Sequence, residues 1–207
     1  MRVFVSKHSL MARPTSISTE HIVDVARRLF LEGGYGVATS AIASAAGISE
    51  GTIFKRFPTK EALFMAAMGL PKPTFLSELP SRVGSGDIRA RLVELAFEMH
   101  AFYAQLMPRM MMMMSKGASS PMAHFDGMEV PPPVRILLAV RAYFEAEHAA
   151  GRMCCDRPEL AARLFTGGIV HFVVLRLYLP KPGEHLITEE EAYLGQMVDT
   201  LLEGLGS

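Results

Sequence analysis

The residues best suited to chemistry lie together in segment 39–64, which reads TSAIASAAGISEGTIFKRFPTKEALF. The spacing of its apolar residues predicts two short helices joined by a tight turn at Gly47-Ile48-Ser49, because small alanines let helices cross closely and glycine allows the turn. Short or polar residues near the start of the second helix, and cations near its end, form its outward face: Glu50, Gly51, Thr52, Lys55 and Arg56. A helix of this kind fits the major groove of DNA.

The elements that must position this segment are also predicted to be helices. An apolar stripe with helical spacing precedes it, with Ser18 as a good N-cap and Gly33-Gly34 as a stop. Pro58 ends the second short helix, and Thr59 caps the helix that follows. The chain shows helical periodicity throughout and no sustained alternation of period two, so the fold class is expected to be all-α.

The rest of the chain is expected to form a second, larger helical part. Residues 70–86 are rich in Pro, Gly and Ser and are interpreted as a linker. Apolar spacing then predicts a long central helix, followed by others over about 134–150 and 158–179. The last helix is expected to open with a capping box at Thr188-Glu189-Glu190-Glu191.

Charge is unevenly distributed, although the net charge is zero. Residues 1–61 hold eight Lys and Arg against five Asp and Glu, a balance of +3. The remaining thirteen bases and sixteen acids give residues 62–207 a balance of −3. A basic head on an acidic body is typical of a protein whose head alone meets phosphate.

The compartment is expected to be the cytoplasm, with no membrane segment. The two cysteines, Cys154 and Cys155, are neighbours and cannot form a disulfide framework, which favours a reducing compartment. The apolar run at the N-terminus is interrupted by Lys7 and His8, so no signal peptide is expected. The longest apolar stretch, 167–179, is interrupted by charge and is expected to be too short to span a bilayer. Met11 is a plausible second start.

The stretch AIASAAGISEGTIFKRFPTKEALF, preceded by a helix ending in FLEGGYG, resembles the DNA-binding domain of TetR-type repressors over residues 18–66. The resemblance implies an N-terminal arm over 1–17 and a three-helix DNA-binding domain with a helix-turn-helix over 18–68. It further implies a larger helical domain for ligand binding and dimerisation over 69–207. Beyond residue 66 the similarity is only in helical and apolar character.

The resemblance also implies roles for individual residues. Thr39 would cap its helix and contact a phosphate, and Arg13 would reach a minor groove from the arm. Where the family often has Tyr, His and Tyr, this chain has one aromatic residue and two cations, so phosphate binding is expected to depend more on salt. The implied DNA-contacting residues are Thr39, Ser49, Glu50, Gly51, Thr52, Phe54, Lys55, Arg56 and Lys60.

By the same resemblance, helices 158–179 and 188–205 would form a homodimer through a four-helix bundle, which would read a palindromic operator in double-stranded DNA. A small apolar effector would bind the C-terminal domain and release the DNA. Its cavity is expected to need a few polar points in an apolar wall. The residues interpreted as candidate ligand contacts are Phe97, His100, Tyr103, Met107, Met110, Phe125, Tyr143 and His171.

Two other functions, an enzyme and a nucleoid protein, fit the sequence less well. An enzyme with a chance helical hairpin is the main rival, but the chain has no nucleophile elbow, phosphate loop or metal motif. We therefore expect no catalytic residue, cofactor or metal. A nucleoid protein would need a more basic chain. The methionines of 110–114 and the pair Cys154-Cys155 could bind a soft metal, but pocket or core packing and ordinary free thiols are the favoured interpretations.

Overall fold

The structure, a computed structural model, describes residues 17–115, 127–179, 186 and 189–204. These residues form helices without any strand, so the fold is all-α as predicted. They divide into two compact units, one ending at Ala67 and one beginning at Met68. The helices of the described residues are α1 Thr19–Gly33, α2 Thr39–Ala45, α3 Glu50–Arg56, α4 Lys60–Ala67, α5 Phe75–Arg82, α6 Ile88–Ser115, α7 Pro132–Ala149, α8 Pro158–Tyr178 and α9 Glu190–Glu203.

The first unit is built on the packing of α1 against α4. The ring of Phe30 meets that of Phe64 edge-on, with centroids 5.2 Å apart, and Tyr35 packs on Phe64 at 5.0 Å. Arg27 donates from Nε to the carbonyl oxygen of Ala67 at 2.7 Å, which ties α1 to the last turn of α4. Ser18 caps α1 as predicted, since its hydroxyl oxygen accepts a hydrogen bond from the His21 amide.

The second unit surrounds α6, which packs against α8 and α9. Its core is apolar and fully buried at most positions, and an edge-on contact of Phe144 with Phe165, 5.6 Å apart, joins α7 to α8. By length and composition α8 could cross a membrane, and only 28% of its most apolar 18-residue window is buried in the chain. Much of the surface of α8 is therefore not covered by the rest of the described chain.

The linker interpretation of residues 70–86 is wrong over its middle, where the structure has α5. Phe75 and Leu79 lie one turn apart and are almost fully buried in the core of the second unit. Burial of this pair stabilises a helix that composition disfavours, even with Pro80 inside it.

Two helix starts also differ from the predictions. The helix α7 begins at Pro132, two residues before the predicted start, because proline is favoured at the first positions of a helix. The helix α9 begins at Glu190, so Glu189 and not Thr188 is its N-cap residue, and Glu189 makes no side-chain capping bond. Thr188 itself lies outside the described residues.

A buried carboxylate holds the end of α7 to the turn between α5 and α6. Glu147 is fully buried, and its carboxylate accepts a hydrogen bond from Arg152 Nε at 2.6 Å and another from the Gly84 amide at 3.3 Å. Arg152 also donates to the carbonyl oxygens of Ser85 and Gly86, at 3.1 and 2.8 Å. One ion pair thus satisfies several backbone groups in the turn.

We expect Glu147→Ala to lower the free energy of unfolding by about 2 kcal/mol, because the substitution leaves Arg152 and the Gly84 amide without their acceptor. Urea denaturation followed by circular dichroism measures this. Glu145→Ala, which removes an exposed i,i+4 partner of Arg141 on the same helix, is the control, with an expected loss of less than about 0.5 kcal/mol. Equal losses in the two variants would contradict the role given to Glu147.

Candidate nucleic-acid interface and ligand cavity

The helices α2 and α3 form the predicted helix-turn-helix. Gly47 has a φ of +69°, which only glycine adopts without strain, and the following Ile48 amide donates to the carbonyl oxygen of Ala43 at 3.0 Å. Ile42 and Ile53, one on each helix, are fully buried. Because the chain turns tightly and both helices bury an apolar face, the other face of α3 is left at the surface.

The start of α3 is fixed by Ser49, which caps the helix as predicted. Its hydroxyl oxygen accepts a hydrogen bond from the Thr52 amide at 3.3 Å and lies 2.9 Å from the Thr52 hydroxyl. Both hydroxyls retain hydrogen-bonding capacity, since each has more lone pairs or protons than these contacts use. The two side chains therefore present polar groups at the N-terminus of α3.

Thr39 does not cap α2, which corrects the sequence interpretation. The helix begins at Thr39 itself, Ala38 is at the N-cap, and no side chain caps this end. The Thr39 hydroxyl instead donates to the carboxylate of Glu50. Two of the residues predicted to contact DNA therefore bind each other and join the start of α2 to the start of α3.

The predicted cations differ in their surroundings. Lys55 is exposed, whereas Arg56 is half-buried and donates from Nη2 to the carbonyl oxygen of Ile17 at 2.6 Å. Lys60 lies with its ammonium 4.7 Å from the centre of the Tyr35 ring, a cation–π contact. Lys55 is thus the most accessible of the three, and Arg56 also holds the residue that precedes α1.

Two further residues on α3 are exposed for no structural reason. Phe54 leaves 42% of its surface exposed, so its ring is accessible on α3. A Cβ added to Gly51 would meet only the Ser49 hydroxyl oxygen, at 3.9 Å, and the backbone there does not have a positive φ. Folding requires a glycine at position 47 but not at position 51.

The second unit contains a cavity of about 700 Å³ between α6, α7, α8 and residues 70–76. This volume is in the range of cavities that hold small molecules. Three predicted ligand contacts line it, namely Tyr103, Met107 and Met110. Burial raises the pKa of Tyr103 to about 12, so its hydroxyl stays neutral at physiological pH.

Other candidate ligand contacts lie elsewhere. His100 is held by Glu190, with Nδ1 2.8 Å from Oε1, and Phe97 packs against the core. Tyr143 lines a separate cavity of about 380 Å³ beside α5, and His171 is exposed on α8. Phe125 lies outside the described residues.

The sequence analysis missed a group of cavity residues. Leu70 and Leu76 were hidden by the linker interpretation, although their apolar character was a usable signal. Three cations also line the cavity, namely Lys72, Arg135 and Arg163. Their spacing in the sequence is that of ordinary surface residues, so it did not indicate a cavity.

The sulfur-containing residues differ in how far they are buried in the described part of the chain. Met110 lines the cavity, Met113 is buried and Met114 is exposed at the end of α6. Cys154 is exposed and Cys155 is buried, both as free thiols. Among the residues that the structure describes, no three His, Cys, Asp or Glu side chains form a group that could hold a metal.

Comparison with known proteins relates both units to bacterial transcriptional regulators. Residues 22–67 match the family model of bacterial regulatory proteins of the tetR family. Residues 91–204, more than half of the chain, match the model of the C-terminal domain of AefR-like transcriptional repressors. None of the curated protein sequences compared with the chain matches it.

Solved structures share the fold at low sequence identity. The transcriptional regulator FadR from Bacillus subtilis, solved in complex with stearoyl-CoA, is 17% identical, with a TM-score of 0.59 and coverage of 91% of this chain and 100% of that one. PfmR from Thermus thermophilus is 17% identical, with a TM-score of 0.58 and coverage of 90% and 99%. The fatty acid degradation regulator FadR from Bacillus halodurans is 17% identical, with a TM-score of 0.56 and coverage of 90% and 95%.

Gly51→Ala tests whether position 51 serves contact with DNA. We expect unchanged or higher stability, because alanine favours helix by up to about 1 kcal/mol over glycine and the added methyl group has space. DNA affinity should fall about tenfold, since the methyl group would enter the surface that approaches the base pairs. Thermal melting and fluorescence anisotropy measure the two effects, and full affinity in the variant would contradict the assignment.

Proposed function

We propose that this chain, which belongs to the TetR family of bacterial regulatory proteins, is a ligand-responsive repressor that binds a palindromic operator as a homodimer and is released by an apolar small molecule. Members of the family are DNA-binding transcriptional regulators and not enzymes, and many are ligand-responsive repressors. The observation that carries the proposal is the exposed face of α3, with Gly51 and Lys55 on a helix-turn-helix whose other face is buried. We place the protein in the cytoplasm.

The proposal assigns DNA binding to residues 18–68 and ligand binding and dimerisation to residues 69–207, with 1–17 as an arm. Ser49, Thr52 and Gly51 would meet base edges, and Lys55 would meet phosphate. Thr39 and Glu50 would have to exchange their mutual hydrogen bond for contacts with DNA. The remaining proposed contacts on this surface are Phe54, Arg56 and Lys60.

Apolar surface on α8 and α9 supports the homodimer. Leu164 leaves 60% of its surface exposed, beside a groove of about 520 Å³ that Tyr193, Met197 and Leu201 also line. A Cβ on Gly168 would come within 2.8 Å of Met197 Sδ, so α8 and α9 pack closely at this position and Met197 would have to move to admit a side chain. The pair presents a groove with a mostly apolar lining, which is typical of a surface covered by a second copy.

The cavity of about 700 Å³ supports control by a small molecule. The B. subtilis FadR structure, similar in fold, was solved with stearoyl-CoA, a ligand with a long apolar chain. A ligand that binds the DNA-free dimer more tightly than the DNA-bound dimer must weaken DNA binding by the same factor. Effector binding and operator release would then be reciprocal.

A DNA titration at several salt concentrations tests the proposal. The wild-type protein should bind DNA from its own upstream intergenic region more tightly than scrambled DNA, and more weakly as salt rises. Lys55→Ala should weaken binding to every DNA and reduce the slope of log K against log salt by about one per protomer, because one phosphate contact is lost. Fluorescence anisotropy measures both quantities.

The matched control is Arg141→Ala, which removes a cation from α7 in the other unit and should leave the slope unchanged. A folded wild-type protein that binds no DNA at low salt would overturn the proposal. A Lys55→Ala slope equal to the wild-type slope would remove Lys55 from the interface.

Leu164→Glu tests the homodimer. A carboxylate in the groove between α8 and α9 should abolish dimerisation at micromolar concentration, because the charge would be buried without a partner in the dimer. DNA affinity should fall at least tenfold as the second helix-turn-helix is lost. Light scattering measures the mass, and Met114→Glu, at a residue equally exposed on α6, should remain dimeric. A dimeric Leu164→Glu variant would place the interface elsewhere.

A further inference from the structure

The cavity of the second unit combines apolar walls with positive charge. Its walls include Phe102, Leu106 and Ile136, and most of the other side chains that line it are also apolar. Lys72 and Arg135 line it from residues 70–76 and from α7, and Arg163 lines it from α8. No Asp or Glu is among the described residues that line it. The cavity is therefore an apolar space with three cations and no lining carboxylate.

Two of these cations lack an acidic partner within the described part of the chain. Lys72 is exposed and forms no ion pair there. Arg135 donates from Nη2 to the carbonyl oxygen of Val130 at 3.3 Å, which leaves its charge uncompensated. Arg163 pairs with Glu159 at 2.8 Å, but both side chains are more than half exposed, so water competes with this pair.

The three cations at the cavity stand out because the rest of the second unit is acidic. Residues 62–207 carry a balance of −3, so a chance collection of surface charges in this unit would more often be acidic. Several other cations of the unit have acidic partners, as Arg82 does with Glu98 and Arg89 with Asp199. At the cavity, Lys72 and Arg135 have no such partner among the described residues, and Arg163 has only a solvent-exposed one, so these cations remain available to a ligand.

We infer that the effector of this cavity is an amphipathic anion, with an apolar chain against the cavity walls and a carboxylate or phosphate group at Lys72, Arg135 and Arg163. The inference rests on the proposed function and makes its apolar effector more specific. Carboxylate and phosphate oxygens form charge-assisted hydrogen bonds with guanidinium and ammonium groups, and a partly apolar setting strengthens such bonds. A neutral apolar molecule would fill the space but leave the cations without an anion.

Four ten-carbon probes that differ only in the head group test the inference. Decanoate, decyl phosphate, decanol and decyltrimethylammonium are titrated into the full-length protein by isothermal calorimetry, below their micelle concentrations. Calorimetry suits this chain, which has no tryptophan to report binding by fluorescence. We expect one or both anions to bind at least tenfold more tightly than decanol, and the cation to bind least. The two anions separate a carboxylate ligand from a phosphate ligand.

Lys72→Gln combined with Arg135→Gln tests which residues hold the head group. The double variant should bind the preferred anion at least tenfold more weakly, because two charged donors are lost, and should bind decanol as the wild-type protein does. Unchanged decanol affinity also shows that the cavity is intact. Arg141→Gln, on the same helix as Arg135 but outside the cavity, should bind every probe as the wild-type protein does.

Equal affinity for decanoate, decyl phosphate and decanol, or no binding of any probe, would overturn the inference. An anion preference that persists in the double variant would overturn the assignment of the head-group site. The same titrations with operator DNA present separate the inference from the proposed function. If decanol released DNA as readily as the anions do, the inferred ligand class would be wrong and the proposed repressor function would stand. If the anions bound without lowering DNA affinity, only ligand-induced release would be wrong.

Discussion

The close crossing of α2 and α3 is the constraint on which the DNA-binding surface depends. The chain must turn at Gly47 with a φ of +69°, and any side chain there would strain the backbone. Ile42 and Ile53 bury the inner faces of the two helices once that turn is made. The position of Lys55 on the outside follows from this packing, because a seven-residue helix with one buried face can present its other residues only to solvent.

The second unit must meet two requirements that oppose each other. A helix such as α6, apolar on most sides, gains stability by burying all of its surface, yet the cavity leaves part of that surface uncovered. Stability is supplied elsewhere, by edge-on aromatic contacts such as Phe144 with Phe165 and by the buried Glu147. The unit therefore keeps a space for ligand in the place where a tighter core would have been more stable.

The elements that local chemistry determines were predictable from the sequence, and those that depend on burial were not. Ser18, Ser49 and the turn at Gly47 were correctly predicted because capping and positive φ restrict residue type strongly. The helix α5 was missed because the burial of Phe75 and Leu79 depends on helices distant in sequence. For the cavity, the sequence indicated only an apolar composition and not which residues would line it. Helical periodicity could not distinguish His100, which pairs with Glu190, from Tyr103, which lies one turn later and lines the cavity.

Residues whose identity the fold does not require are the best guide to function in this chain. Gly47 is explained by its positive φ, and Gly168 by the close approach of Met197, so neither glycine gives information about a partner. Gly51 has no such reason, and Leu164, with 60% of its surface exposed, contributes little to packing within the chain. Unpaired cations beside an apolar cavity in an acidic unit belong to the same class. Each of these choices becomes physically reasonable once a partner occupies the surface: DNA at α3, a second copy at α8 and an anion at the cavity.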